Sequence, residues 1–360
     1  MSLSSYVTLG HSGLRISPFT LGTMTFGEDM GWGASAEESE RILAAYLDAG
    51  GNSIDCANVY TNGHAEVIVG DHLAARPGLR DRLVVGTKFF WNLHRGDPNG
   101  GGAGRKAIMH QLESSLRRLR TDHVDIYWLH NFDPRTPRDE TLRALDDLVT
   151  AGKVRYIGFS DVPAWATAEA ATIARFRGWS PIVALQLEYS LLERTSEGEL
   201  IPMAEAMGMG VLPWSPLKSG FLSGKYSSSR AGTVDTARTG LVGEPGPEDL
   251  RVIDVVNDVA AEIGTSSAAV ALAWVQGRPG VSSTLIGARR LAQLEDNLAA
   301  LELTLSAQHR DRLDAVSAPR LNFPADNNAA LARLASNGGT TVDGVATPLP
   351  PQLAGDVHIW

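Results

Sequence analysis

Short apolar runs alternate with longer amphipathic stretches along most of the chain. The apolar runs lie at residues 20–24, 52–55, 83–87, 124–129, 154–159, 182–186, 210–213 and 283–286. Their length and unbroken apolarity are typical of strands buried on both faces of a parallel sheet. Stretches with helical spacing follow near residues 64–76, 106–119, 138–150, 163–176, 198–207, 248–263, 266–276 and 289–300. This alternation predicts an α/β fold, a (β/α)8 TIM barrel.

The two ends of the chain depart from this alternation. Residues 6–16 have the length and turn residues of a β-hairpin, which we expect to cap the barrel. A first helix should begin after Ser35, which has the spacing of a capping box with Glu38, and end at Gly50. We therefore assign residues 1–319 to one barrel domain that includes the hairpin. Residues 320–360 lack clear periodicity, so they form a C-terminal extension that packs on the barrel or is partly disordered.

Composition narrows the function classes. The 360 residues are 43% hydrophobic and 20% charged, which is ordinary for a soluble globular protein. A net charge of -9 argues against a nucleic-acid partner, which would require clustered lysine and arginine. Cys56 is the single cysteine, so no intramolecular disulfide can form. We find neither a signal-peptide pattern nor an apolar run of the roughly 18–20 residues that a membrane helix needs, and we expect a cytoplasmic protein without a membrane partner.

Titratable side chains follow three consecutive predicted strands. Asp55 ends the strand at 52–55 and Tyr60 follows it, while Lys88 and His130 end the next two strands. A barrel active site lies at this edge of the strands, and a phenol needs charged neighbours to act as an acid near neutral pH. The alternative is that Asp55 and Lys88 form a buried ion pair, with Tyr60 and His130 as ordinary hydrogen-bonded residues. Finding all four at the functional edge favours the catalytic interpretation.

Two long connections should cover such a site. Residues 89–105 and 217–246 are rich in Gly with Asn or Ser, and both follow strand ends. Met24, Trp32 and Trp91 could form an apolar substrate pocket, although loop aromatics are as often merely packed. We expect Cys56 to be a small core residue, and the scattered histidines provide no zinc site, so no metal is predicted.

Longer motifs carry a family resemblance. They are Gly-Thr-Met-Thr-Phe-Gly at 22–27, Ile-Asp-Cys-Ala-Asn-Val-Tyr at 54–60, Gly-Thr-Lys at 86–88, Val-Asp-Ile-Tyr-Trp-Leu-His at 124–130, Trp-Ser-Pro-Leu at 214–217 and Leu-Ile-Gly-Ala at 285–288. In this order, over about residues 6–305, the chain resembles the aldo-keto reductases. The likeness is strongest to the branch with potassium-channel β-subunits and aryl-alcohol-type reductases, which also has Ser-Gly-Lys-Tyr, here at 223–226.

The resemblance implies a reductase of aldehydes and ketones that uses NADP(H), with Tyr60 as proton donor. Lys88, paired with Asp55, should lower the pKa of the Tyr60 phenol, and His130 should orient the carbonyl oxygen. The implied nicotinamide site consists of Thr23 and Met24 beside the ribose, Ser160 and Gln186 at the carboxamide, and Trp214 stacked on the ring. The pyrophosphate should be lined by Ser215, Leu217, Ser219, Gly220 and Lys225. The adenosine-phosphate site should consist of Gly287, Ala288, Arg289, Gln293, Asp296 and Asn297. Arg238 aligns loosely as a residue that closes over the pyrophosphate.

The chain departs from the family pattern in three places. Asp161 stands where asparagine is usual, so it should only accept hydrogen bonds, and Asn58 stands where aspartate is common. Ala288 and Arg289 replace a lysine–serine pair, which leaves a cofactor 2′-phosphate dependent on Arg289. The partner is a small carbonyl or alcohol substrate. A second possibility is a regulatory subunit that binds NADPH as a redox sensor and turns over slowly; the sequence sets neither the substrate nor the oligomeric state.

Overall fold

A hairpin and eight parallel strands form the centre of the protein. The structure, a computed structural model, describes residues 1–230 and 243–355. The hairpin strands are Val7–Thr8 (β1) and Arg15–Ile16 (β2). The parallel strands are Phe19–Gly22 (β3), Ser53–Asp55 (β4), Val84–Phe89 (β5), Val124–Leu129 (β6), Val154–Ser160 (β7), Ile182–Glu188 (β8), Gly210–Trp214 (β9) and Thr284–Ile286 (β10). Their order and parallel pairing confirm the predicted barrel.

The barrel is closed by pairing of its last strand with its first. β10 pairs in parallel with β3, so that Thr284 lies opposite Phe19. On its other side, a parallel bridge between Val211 and Val281 joins β9 to the segment before β10, and Ser282 N donates to Val211 O at 2.9 Å. The boundaries differ from the prediction by one or two residues. At β3, Thr23 leaves the strand because its backbone N–H and its hydroxyl both donate to Asp55 O, each at 3.0 Å.

Helices surround the barrel. They are Ala36–Asp48 (α1), His64–Ala74 (α2), Arg105–Leu119 (α3), Arg138–Thr150 (α4), Ala164–Arg177 (α5), Leu200–Ala206 (α6), Pro247–Ile263 (α7), Ser267–Gln276 (α8), Leu291–Ala299 (α9) and Ala307–Val316 (α10). The sequence pattern missed α10, in which only Leu313 is fully buried. No helix in the described part of the chain is long and apolar enough to cross a membrane.

The C-terminal extension contains regular structure that its sequence did not indicate. A helix at Ala325–Asn337 (α11) is followed by a hairpin of Thr341–Val342 (β11) and Val345–Ala346 (β12). The side chains of this hairpin are exposed, so little apolar periodicity was available to predict it. Residues 356–360 lie outside the described part of the chain, and the division at residue 319 stays a prediction.

The predicted capping box of α1 is only half formed. Ser35 Oγ accepts from Glu38 N at 3.2 Å, as expected of an N-cap. The Glu38 carboxylate does not return to the cap. Instead Glu38 Oε1 accepts from Leu291 N at 2.8 Å, at the start of α9. The Glu38 carboxylate, which the local spacing had assigned to the backbone N–H of Ser35, thus accepts from the start of a distant helix.

The hairpin closes the floor of the barrel. An interior cluster combines hairpin residues with inward-facing strand residues; its buried members are Leu9, Ile16, Val84, Ile126, Trp128, Val183, Ala184, Leu212 and Leu285. Trp128 fills so much of this space that a Cβ at Gly158, opposite it on β7, would lie 2.2 Å from the ring. With the floor filled, the carboxyl ends of the strands form the open end of the barrel.

Candidate active site

Lys88 is the centre of the polar cluster at the open end of the barrel. Its side chain is fully buried on β5, and its ammonium forms an ion pair with the Asp55 carboxylate. The same Nζ donates to Tyr60 Oη at 2.9 Å and to the Cys56 carbonyl at 3.0 Å. Three acceptors therefore satisfy the three N–H groups of the ammonium, which is what a buried charge requires.

Local backbone pairing brings Tyr60 over Lys88. Strand β4 lies beside β5 with Asp55 opposite Gly86. The chain then continues along β5, because Cys56 N donates to Gly86 O at 2.8 Å and Asn58 N to Lys88 O at 3.2 Å. A short 3-10 turn at Tyr60–Gly63 ends this segment. The acid and the phenol thus reach one lysine from a single stretch of six residues.

Gln186 completes the environment of Asp55. Its Nε2 donates to Asp55 Oδ1 at 3.0 Å, while Lys88 occupies the other carboxylate oxygen. The buried Gln186 amide thus supports the acid, and its predicted contact with the cofactor carboxamide stays a prediction. Burial raises the pKa of Asp55, whereas Lys88 and Gln186 act to lower it.

The electrostatic effect on Tyr60 differs from the prediction. Burial raises the pKa of the Tyr60 phenol above its ordinary value, and the nearby Lys88 ammonium opposes that rise without reversing it. The expected net lowering was therefore wrong, because the sequence could not show that burial of this partly exposed residue outweighs the Lys88 charge. Burial alone would lower the pKa of Lys88, but Asp55 and Tyr60 raise it above its ordinary value. At neutral pH Tyr60 is a protonated phenol held by a charged lysine.

His130 faces the same cluster from the end of β6. Its ring lies 5.9 Å from the Tyr60 ring between centroids, at an interplanar angle of 81°. Desolvation, together with the positive charge of Lys88, lowers the pKa of His130 to about 2. Among the described residues, its buried Nδ1 has no hydrogen-bond partner. His130 is therefore a neutral imidazole throughout the physiological pH range.

This pKa predicts a pH dependence of stability. A histidine in the unfolded chain takes up a proton near pH 6.5, whereas the folded protein keeps His130 neutral, so stability falls as the pH drops below 6.5. Between about pH 7 and pH 5 this loss amounts to about 2 kcal/mol. Urea unfolding of the wild type and His130→Gln at both pH values measures it. The variant should lose less stability on acidification; equal losses in both proteins would contradict a neutral His130.

The residues predicted to hold a nicotinamide lie at neighbouring strand ends. Ser160 is buried at the end of β7, and Thr23 is buried beyond β3. Asp161 follows Ser160 with a φ of 52°, and its Oδ1 accepts from Trp214 Nε1 at 3.1 Å. Desolvation raises the pKa of the Asp161 carboxyl to about 6, although Trp214 and Ser160 donate to it. As expected, Asp161 acts as an acceptor, and it fixes the half-buried Trp214 indole.

The turn after β9 has a strained backbone. Four of its residues have positive φ: Ser215 at 53°, Lys218 at 44°, Ser219 at 56° and Gly220 at 100°. Such conformations are uncommon outside glycine, and they cluster at ligand-binding loops. Ser219 N donates to Ser215 Oγ at 3.1 Å. The half-buried Leu217 lies within this turn, and the predicted pyrophosphate residue Lys225 is exposed beyond it.

The turn after β10 is held by three side chains. Thr25 Oγ1 donates to Ala288 O at 2.7 Å, Asn297 Nδ2 donates to Gly287 O at 3.2 Å, and Gln293 Oε1 accepts from Arg289 N at 2.9 Å. Gln293 and Asn297 thus brace the turn, and Asp296 is exposed on α9. Within the described residues, no carboxylate lies within ion-pair distance of the half-buried Arg289 guanidinium. Arg238 lies outside the described residues.

These two turns fit an elongated anionic cofactor. One is a turn with four residues in left-handed conformations, of the kind found at ligand-binding loops, and the other provides a guanidinium without a carboxylate partner among the described residues. The tripeptide 23–25 joins the turn after β10 to the catalytic cluster, because Thr23 donates to Asp55 O and Thr25 donates to Ala288 O. This role of Thr25 was not predicted.

The predicted substrate pocket is only partly assembled around the cluster. The Trp91 ring lies 6.5 Å from the His130 ring at 77° and is 47% exposed. Met24 is 48% exposed, and Trp32 is half-buried in the loop after β3. Trp91 therefore lies beside His130, while the role of Trp91, Met24 and Trp32 as a substrate pocket stays a prediction. Two amide side chains hold the backbone at Trp91 and directly before it: Asn58, which the sequence marked only as a departure from the family pattern, and Gln111, which was not predicted.

Comparisons with known proteins agree with this geometry. The chain matches the sequence model described as the Aldo/keto reductase family over residues 18–318. It is 38% identical to the uncharacterized oxidoreductase YrpG of Bacillus subtilis, covering 84% of this chain and 93% of the relative. It is 36% identical to a probable voltage-gated potassium channel subunit beta of Oryza sativa (86% and 96%) and 33% identical to a putative aryl-alcohol dehydrogenase of Saccharomyces cerevisiae (87% and 86%). The chain therefore belongs to the aldo/keto reductase family.

Proposed function

We propose that the protein is an NADPH-dependent reductase that converts aldehydes or ketones to alcohols, with Tyr60 as proton donor. The observation that carries this proposal is the Tyr60 hydroxyl, which is held 2.9 Å from the Lys88 ammonium on a ring that packs against His130 at the open end of the barrel. The oxidoreductase names of several relatives support the reaction class. A cytoplasmic location stays a prediction from the sequence.

Each residue of the cluster has a distinct role in this reaction. When bound, the nicotinamide supplies the hydride. Tyr60 donates its proton to the carbonyl oxygen, and the buried Lys88 ammonium stabilises the tyrosinate that remains. His130 is neutral, so it can donate one hydrogen bond to the same oxygen without transferring a net charge. Asp55 keeps Lys88 charged inside the protein and stays out of contact with the substrate.

Turnover by the purified protein tests this proposal. NADPH oxidation should be followed with a panel of aromatic and aliphatic aldehydes. Substrate-dependent oxidation of NADPH supports a reductase. Tight NADPH binding without turnover on any member of the panel would favour the second candidate, a regulatory subunit that senses NADPH. That candidate rests on the 36% identity to a protein named as a probable channel β-subunit.

The choice of NADPH over NADH is proposed to depend on Arg289. A guanidinium without a carboxylate partner among the described residues can form charge-assisted hydrogen bonds with a 2′-phosphate. Arg289→Ala should weaken NADPH binding by about tenfold to a hundredfold and NADH binding by less than about twofold. Quenching of tryptophan fluorescence on titration with each cofactor measures both dissociation constants.

Arg290 provides a matched control. It is the next residue, carries the same charge and is exposed. Arg290→Ala should reduce NADPH affinity only slightly, since a loss of general positive charge is screened at the surface. If Arg289→Ala weakened NADPH and NADH equally, or no more than Arg290→Ala does, Arg289 would not recognise the 2′-phosphate.

A further inference from the structure

The backbone directly after the catalytic lysine is held in an unfavourable conformation. Phe90, two residues beyond Lys88, has a φ of 132°, far outside the range that side chains other than glycine usually adopt. Such a conformation persists only where surrounding contacts enforce it, and it is often found beside functional sites. The next residue is Trp91, whose half-exposed ring faces His130. The groups that hold this turn therefore also place the indole.

Two buried amide side chains hold the turn. Gln111 Oε1, on α3, accepts from Phe90 N at 3.0 Å. Asn58 Nδ2, from the segment between Asp55 and Tyr60, donates to Trp91 O at 2.9 Å and to Gln111 Oε1 at 2.7 Å. Both amides are at least 96% buried, since Asn58 is 1% and Gln111 4% exposed. We call this pair of residues the amide clamp.

The backbone dictates the orientation of both amides. The Phe90 N–H needs an acceptor, so the Gln111 oxygen must face it. The Trp91 carbonyl needs a donor, so the Asn58 nitrogen must face it, and the second N–H of Asn58 then meets the Gln111 oxygen. In this arrangement Asn58 Oδ1 and Gln111 Nε2 are buried without partners among the described residues. Keeping two unpaired buried groups is costly, which indicates that position 58 is constrained to supply two donors.

We propose that Asn58 is a positioning residue that sets the preference for aromatic carbonyl substrates by fixing Trp91 against His130. This inference rests on the proposed reductase function and deepens it. The clamp ties the segment that carries Tyr60 to the turn that carries Trp91, so the proton donor and the indole keep a constant separation. A planar aromatic carbonyl compound beside His130 would contact the indole face, whereas a small aliphatic aldehyde would need only Tyr60 and His130.

Replacing each amide with the matching carboxylate tests the amide clamp, because the two substitutions should have unequal effects. Asn58→Asp leaves at most one donor where two are required, so it should raise the KM for an aromatic aldehyde by about tenfold. The KM for a small aliphatic aldehyde and the Kd of NADPH should each change by less than about twofold. Gln111→Glu keeps the oxygen that accepts from Phe90 and Asn58 in either protonation state. This variant should retain the wild-type preference for aromatic over aliphatic aldehydes. Loss of that preference would overturn the role assigned to Asn58.

A double-mutant cycle shows whether the effect passes through the indole. Trp91→Ala alters a half-exposed ring and should raise the aromatic KM by about tenfold by itself. In the Trp91→Ala protein, Asn58→Asp should have no further effect on that KM. An equal effect of Asn58→Asp in both backgrounds would overturn the proposal, as would an unchanged aromatic preference in Trp91→Ala. Failure of the proposed function gives a different result, since the wild type would then reduce no carbonyl compound. Failure of this inference alone would leave an active wild type whose KM values do not respond to the substitutions.

Discussion

Replacing Tyr60 with phenylalanine should lower kcat/KM for carbonyl reduction by about 10²- to 10⁴-fold, the contribution typical of a positioned acid. The change removes the only atom through which Tyr60 accepts from Lys88, and it leaves the ring that packs edge-on against His130. Steady-state kinetics with an aldehyde identified in the turnover screen measures the loss. The effect should fall on kcat, because proton donation to the forming alkoxide belongs to the transition state.

Cofactor binding and a second tyrosine serve as controls. The Kd of NADPH should change by less than about threefold in Tyr60→Phe, since the hydroxyl is assigned to the reaction and not to cofactor binding. Tyr6, whose exposed hydroxyl donates to Gly50 O at 3.1 Å, allows the same chemical change far from the cluster. Tyr6→Phe should retain wild-type kinetics. Turnover by Tyr60→Phe at the wild-type rate would remove Tyr60 from its proposed role.

Lys88→Met should destabilise the protein by about 3–5 kcal/mol, the cost of leaving one member of a buried ion pair without its partner. The Asp55 carboxylate would keep only the Gln186 amide as a donor among the contacts described above. Adding Asp55→Asn removes the stranded charge and still leaves an oxygen for Gln186. The double variant should therefore recover most of the lost stability, and urea unfolding of the three proteins measures it.

Activity separates the two roles of Lys88. Both Lys88→Met and the double variant should be nearly inactive, because neither provides positive charge beside the Tyr60 oxygen. Recovered stability without recovered turnover would assign Lys88 to the reaction as well as to the fold. If Lys88→Met alone cost less than about 1 kcal/mol, or if the double variant were as unstable as the single one, the pair would not be the buried ion pair described here.

The sequence predicted the barrel well because its signal is repeated along the chain. Eight buried strands need eight apolar runs, and an error of one residue at any boundary leaves the topology unchanged. Asp55, Tyr60, Lys88 and His130 were found for a related reason: parallel strand ends converge, so polar residues there must meet. Helix α10 was missed because it buries little apolar surface, with Leu313 as its only fully buried residue.

The details that were predicted wrongly or missed depend on contacts between distant parts of the chain, which the sequence does not show. The capping box of Ser35 and Glu38 was predicted from local spacing, yet Leu291, 253 positions away, takes the carboxylate. The direction of the Tyr60 pKa shift depends on the extent of desolvation, which only the packed barrel reveals. Gln111 lies in an amphipathic helix like many other glutamines, and its role became visible only when α3 was placed behind Phe90.

The pairing of β10 with β3 has a consequence for synthesis of the chain. Phe19 lies 265 positions before its partner Thr284, so the first barrel strand stays without its closing neighbour until the last barrel strand has been synthesised. Contacts between such distant residues form slowly because a long loop must be closed first. The turn that carries Arg289 comes directly after this last strand. The cofactor site proposed at that turn is therefore complete only after the barrel has closed, so the proposed NADPH ligand would stabilise finished molecules selectively and leave incomplete chains unprotected.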